Sequence, residues 1–96
     1  MTSLTILGRR WFDRINGNTY FSAKALIDGK PAGEIRFQYG YGNQYEHEMF
    51  AKLQQDGLLA DVERYAHGLE SPWRWCERNK ITYHAEVTDV ARKRDL

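Results

Sequence analysis

Alternation of apolar and polar positions is the first regularity along the chain. From Leu4 to about Ile15 the residues favour a strand. From Thr19 to Ile27 the period is two, with Phe21, Ala23, Ala25 and Ile27 on one side and Tyr20, Ser22, Lys24 and Leu26 on the other. The first set predicts the core face. Between the two runs, Asn16-Gly17 is the pair that favours a two-residue type I′ hairpin turn. After Asp28-Gly29-Lys30 a third strand is predicted, with Ile35, Phe37, Tyr39 and Tyr41 on one side and Glu34, Arg36 and Gln38 on the other. A one-residue slip reverses every side chain, so burying Ile35 together with Phe21 predicts a loop of three or five residues here. Pro31 suits an edge or the start of a strand.

Beyond Gly42 the period becomes helical. Asn43 followed by Glu46 predicts a capping box, Tyr45, Met49, Phe50 and Leu53 form an apolar stripe, and Gly57 stands where a left-handed residue ends a helix. The Gly40-x-Gly42 joint lacks the third glycine and the lysine of phosphate-binding loops, and Glu46 would oppose an anion there, so the joint is expected only to turn the chain. Leu58, Leu59, Val62, Tyr65, Ala66 and Leu69 keep helical spacing and predict a second helix. Ser71-Pro72 opens a short third one through Asn79. In that third helix Trp73 is assigned to the core with Cys76, and Trp75 is placed outward near Arg78. A last strand from Ile81 to Val90 turns Ile81, Tyr83, Ala85 and Val87 inward. The order βββαααβ predicts a single α+β domain over residues 1–96. It has two layers, an antiparallel four-stranded sheet with two or three helices on one face and the other face open.

Charge and cysteine usage narrow the function classes. The formal net charge is +1, but residues 1–40 and the tail from Arg92 to Arg94 are basic, whereas residues 41–70 are acidic. That balance excludes both the long-range field of a dedicated duplex-DNA binder and a wholly acidic DNA mimic. The apolar runs are short, the N-terminus lacks the order of a secretory signal, and Cys76 is the lone cysteine. The expected location is the reducing cytoplasm, with no membrane association.

Candidate chemistry is sparse. His47 and His67 lie opposite their helical stripes and are expected to face water. His84 and Glu86 share a strand face and are the one pairing around which a small hydrolase or metal enzyme could be built, but nothing else of ligand type is held near them by sequence. No G-x-S-x-G or H-E-x-x-H motif occurs. A non-enzymatic protein without metal or cofactor is therefore expected. On the open sheet face the hairpin gathers Arg9, Trp11, Tyr20 and Lys24, joined by Arg36 and Gln38, while Trp75 and Arg78 make a second patch. Aromatic and basic groups together suit the anchors of a protein or ribonucleoprotein interface, or the stacking platform of a single-stranded nucleic-acid binder. Arg10 fits neither role, because it falls on the predicted core face.

The segments RRWFDRINGNTYFS (9–22), FQYGYGNQY (37–45) and DVARKRDL (89–96) resemble small proteins encoded by bacteriophages and related mobile elements. The resemblance covers most of the chain and brings no catalytic residue with it. It implies a protein that binds a host or phage macromolecule in the host cytosol, as small inhibitors of host defence such as anti-CRISPR proteins do.

Overall fold

The computed structural model describes all 96 residues. The elements follow one another as β1 (Ser3–Asp13), β2 (Asn18–Ile27), β3 (Lys30–Tyr39), α1 (Gln44–Gln55), β4 (Arg64–Tyr65), β5 (Gly68–Leu69), α2 (Pro72–Arg78) and β6 (Thr82–Val90), with a 3-10 turn at Lys93–Asp95. One four-stranded sheet runs β3-β2-β1-β6, and β4 with β5 makes a separate two-residue hairpin. The α+β class and the helix-covered sheet agree with expectation. The all-antiparallel sheet does not, because β6 lies parallel to β1. After β3, α1 carries the chain back across the sheet, and the irregular segment and short α2 that follow do not cross it again. The Thr82 N–H accordingly reaches the Thr2 carbonyl, at 2.9 Å, and the two strands start side by side.

Alternation on β1 and β2 selects the core as predicted. Leu4, Ile6, Phe21, Ala23 and Ala25 are buried against Tyr45, Met49, Phe50 and Leu53 of α1. Close seating of α1 needs two glycines. A methyl group on Gly8 would lie 2.6 Å from the Tyr45 ring, and one on Gly33 would lie 2.7 Å from the Met49 methyl carbon. At the far end of α1 the Gly57 N–H bonds the Gln54 carbonyl and the Leu58 N–H the Leu53 carbonyl, closing the helix with Gly57 at φ +77°. The capping box at the near end does not form. The Asn43 side chain makes no cap bond, and the Glu46 carboxylate instead accepts from the Tyr83 hydroxyl of β6 at 2.7 Å.

Both turns differ from expectation. The first is a four-residue loop, because Asp13 pairs with Asn18. The Asp13 carboxylate accepts from the Ile15 and Asn16 N–H groups and from the Asn16 side chain. This moves the register by two, so the faces are unchanged. The second turn is the two-residue Asp28-Gly29, with both residues at positive φ and Ile27 paired with Lys30. Parity is repaired inside β3 by an extra residue at Ala32, which puts Ile35 opposite Ala23. A second extra residue then follows: Arg36 and Phe37 together face Ser22, so Gln38 pairs with Phe21 and Tyr39 with Tyr20. Phe37 and Tyr39 therefore leave the side of Ile35 for the opposite face, correcting the predicted alternation.

Residues 58–71 form no helix. Asp61 and Gly68 adopt positive φ, at 58° and 134°, and the only regular structure is the β4–β5 hairpin. In α2 the tryptophans are exchanged relative to expectation. Trp75 is 3% exposed and Trp73 is 44% exposed. Pro72, Trp75, Cys76 and Asn79 share the i, i+3, i+4, i+7 side, and the first three of them are buried. Trp75 meets Phe50 edge-on at 5.7 Å and donates from Nε1 to the Ala60 carbonyl at 2.9 Å.

Gly8→Ala should lower stability by about 1–3 kcal/mol, since the added methyl must push the Tyr45 ring out of a packed site. A thermal melt checks this, and a midpoint equal to the parent would contradict the tight seat.

Candidate functional surface

Helices α1 and α2 cover one side of the sheet, and the other side carries the functional candidates. Trp11 on β1 pairs with Tyr20 on β2, which pairs with Tyr39 on β3. The rings form a row. Trp11 and Tyr20 stack at 5.9 Å with planes 26° apart, Tyr20 and Phe37 stack at 4.8 Å and 15°, and Tyr39 stands edge-on to Tyr20 at 5.8 Å. Strands β1 and β3 flank β2, so the flat sides of Tyr20 are covered by its neighbours and the row presents its edges outward. Phe37 and Tyr39 are 46% and 54% exposed. The displaced residue Arg36–Phe37 makes this row possible, and strict alternation concealed both Phe37 and Tyr39. Gln38, expected here, points to the core side.

Around the row, Arg9, Lys24 and Arg36 are exposed as expected. Arg36 stays almost free, with Glu34 at 3.5 Å as its ion-pair partner. The face is not wholly bare. Past β6 the chain doubles back over it: the Lys93 ammonium lies 4.9 Å from the centre of the Phe37 ring, and Arg9 donates to the Asp95 carbonyl at 3.0 Å. Leu96 joins Leu7, Arg9, Ser22 and Lys24 in lining a shallow groove. The expected open face is thus crossed by a strap, which leaves the aromatic end of the sheet accessible. Beside that end, Phe12, Ile15 and Tyr41 are 54%, 93% and 67% exposed and extend the apolar surface round the first hairpin.

Arg10 resolves at the sheet end. Its guanidinium bonds Asp89 at 3.0 Å and the Gly42 carbonyl at 3.2 Å, tying β1 to β6 and to the joint before α1.

The second predicted patch is not a surface. Trp75 is buried, and Arg78, though its side chain is partly exposed, is engaged by bonds within the chain. It donates to both carboxylate oxygens of Glu70, at 2.9 and 2.7 Å, and to the Asp61 carbonyl at 2.6 Å. Glu70 is 1% exposed and also accepts from the Glu63 N–H at 3.1 Å. The Arg78 guanidinium holds the Glu70 carboxyl below the usual carboxylate range against the opposing effect of burial. A helical stripe was expected here. The segment is instead organised by this buried ion pair and the Trp75–Ala60 bond.

Neither histidine chemistry nor thiol chemistry converges on a site. His84 and Glu86 meet at 3.1 Å on β6, and both are more than half exposed. No group of three metal-ligating side chains forms around them or elsewhere. His47 is exposed and edge-on to Trp73, and His67 is exposed and stacked on Tyr65. Burial pushes the Cys76 thiol up to about 11, so it is not a thiolate at neutral pH. No helix is long and apolar enough to cross a membrane. In comparisons with protein-family models, curated proteins and solved structures, nothing matches this chain.

Arg78→Ala strands the buried Glu70 carboxylate with only the distant Arg74, at 3.7 Å, for a cation. Loss of a partner from a buried pair costs about 3–5 kcal/mol, and the partial exposure of Arg78 puts the expected loss near the lower figure. Urea unfolding measures it, and a loss below about 1 kcal/mol would show that the pair is not what orders residues 58–71.

Proposed function

We propose that this chain is a non-catalytic binding protein that docks on a protein surface, alone or within a ribonucleoprotein, through the helix-free face of its sheet. The observation that carries this reading is the cross-strand row Trp11–Tyr20–Phe37, with Tyr39 at its end and cations around it. Large rigid rings with exposed edges, ringed by arginine and lysine, are the composition of interface anchors. Monomeric domains rarely expose so many apolar rings together without using them.

The same geometry weighs against single-stranded nucleic acid. Base stacking uses ring faces, and here the Tyr20 ring lies between those of Trp11 and Phe37 while the Lys93 ammonium lies over Phe37. The net charge of +1 adds little attraction to a polyanion. For the reading around His84 and Glu86, the two groups are exposed and lack a third partner that would orient them. The similarity to small bacteriophage proteins supports a partner in an infected cell, whose surface would be blocked by docking. An anti-CRISPR role belongs to this proposal as one form of it.

The test is quantitative capture of the partner from host lysate, followed by titration against the purified partner. Trp11→Ala with Tyr20→Ala should raise the dissociation constant by about 100-fold or more, as removal of central aromatic anchors does. Trp73→Ala, on the helical side, should leave it unchanged. Equal affinity for the parent and the Trp11, Tyr20 double variant, both folded, would reject this surface. A salt-sensitive shift of a labelled oligonucleotide that depends on both Trp11 and Tyr20 would move the reading to nucleic acid.

A further inference from the structure

The two edges of the sheet are built differently. β3 carries Pro31 and two extra residues, devices that discourage pairing with another strand. β6 has none of these. It is nine residues long, keeps one unbroken register with β1, and contains no proline, glycine or lysine. The Thr82 N–H points to β1, where it bonds the Thr2 carbonyl, and alternation along the strand turns the main-chain groups of Tyr83, Ala85, Val87 and Asp89 outward. These outward groups take part in none of the hydrogen bonds made outside the strand ladders.

We infer that β6 is a self-complementary edge, and that two copies of this chain join antiparallel along it into a continuous eight-stranded sheet with a two-fold axis at Ala85. Main-chain geometry admits only registers in which odd residues face odd residues. Among these, centring on His84 sets His84 against itself, centring on Glu86 sets Glu86 against itself, and centring on Val87 gives Glu86 only Thr88. Centring on Ala85 opposes His84 to Glu86 twice, Thr82 to Thr88 twice and Tyr83 to Val87 twice. Carboxylate–imidazole pairs that can hydrogen-bond, threonine–threonine pairs and aromatic–β-branched pairs all favour antiparallel strands over like-with-like carboxylate contacts. His84 and Glu86 already stand side by side within one strand at 3.1 Å, so pairing turns each couple into a four-membered cross-strand cluster. The helices of both copies would lie on one side of the joined sheet and both aromatic rows on the other. The dimer edge is distinct from the docking face proposed above, and either can fail without the other.

Sedimentation of the wild-type chain over a concentration series should show a monomer–dimer equilibrium. Ala85→Pro removes an outward N–H and no bond to β1, so it should give a folded monomer by circular dichroism. His84→Glu alone should raise the dimer dissociation constant about tenfold or more by setting carboxylate against carboxylate across both pairs, and Glu86→Lys alone should raise it by removing the carboxylate that faces each His84. An equimolar mixture of these two variants should recover a dimer containing one chain of each, because one pair then sets a carboxylate against an ammonium and the other restores His84 opposite Glu86. A wild-type chain that stays monomeric into the millimolar range, a dimer that survives Ala85→Pro, or a mixture that behaves as its separate components would overturn the inference.

Discussion

The extra residue that β3 carries opposite Ser22 decides which face Phe37 and Tyr39 occupy. Strands alternate strictly, so Phe37 and Tyr39 would otherwise follow Ile35 into the helix-covered core. With Arg36 and Phe37 sharing one partner, they stand instead on the far face beside Tyr20, and Gln38 takes the inward place opposite Phe21. Two chemically different faces are thereby made from one strand. The same displacement bends and blunts an edge that would otherwise be open to aggregation.

The helical layer completes this separation. Gly8 and Gly33 let α1 approach the sheet closely enough for Met49, Phe50 and Leu53 to be sealed, and Tyr83 reaches Glu46 to fix α1 over the β6 side. Trp75 then closes the end of the core, and the Glu70–Arg78 pair binds the intervening loop down. Most of the exposed large apolar side chains gather at one end of the sheet, where Phe37, Tyr39, Phe12, Ile15 and Tyr41 lie around Trp11 and Tyr20, while Met1, Leu58 and Trp73 lie elsewhere. The segments 9–22, 37–45 and 89–96 meet there, through the Trp11–Tyr20 and Tyr20–Phe37 stacks and the Lys93–Phe37 contact.

Local periodicity made legible what depends on local sequence. The core face of β2, the stripe of α1, Gly57 as its terminator and Pro72 at the head of α2 all follow from spacing and backbone preference, and the structure agrees with each. Apart from the first turn, where the Asp13 carboxylate gathers Ile15 and Asn16, what failed depends on partners further away along the chain. Loop length alone could not reveal the displaced residues of β3, because these exist only relative to β2. Helical spacing from Leu58 to Leu69 was outweighed by a buried carboxylate that needed Arg78, and the orientation of a seven-residue helix hung on whether Trp73 or Trp75 could reach Phe50 and the Ala60 carbonyl. On the candidate surface Arg9, Trp11, Tyr20, Lys24 and Arg36 were legible from the hairpin. Phe37 and Tyr39 were seen but placed on the wrong side, and the strap of residues 93–96 had no local signal.

The proposed function rests on a simple asymmetry: one face of the sheet is filled by helices, and the other ends in a row of rings, of which Phe37 and Tyr39 are about half exposed. Site-specific photocrosslinking measures directly whether that row meets a partner. With a photoreactive phenylalanine replacing Tyr39, and separately Trp73, in otherwise native protein, irradiation of the bound complex should crosslink the partner from position 39 and not from position 73. Crosslinks from position 73 alone would place the partner on the helical side and contradict the account.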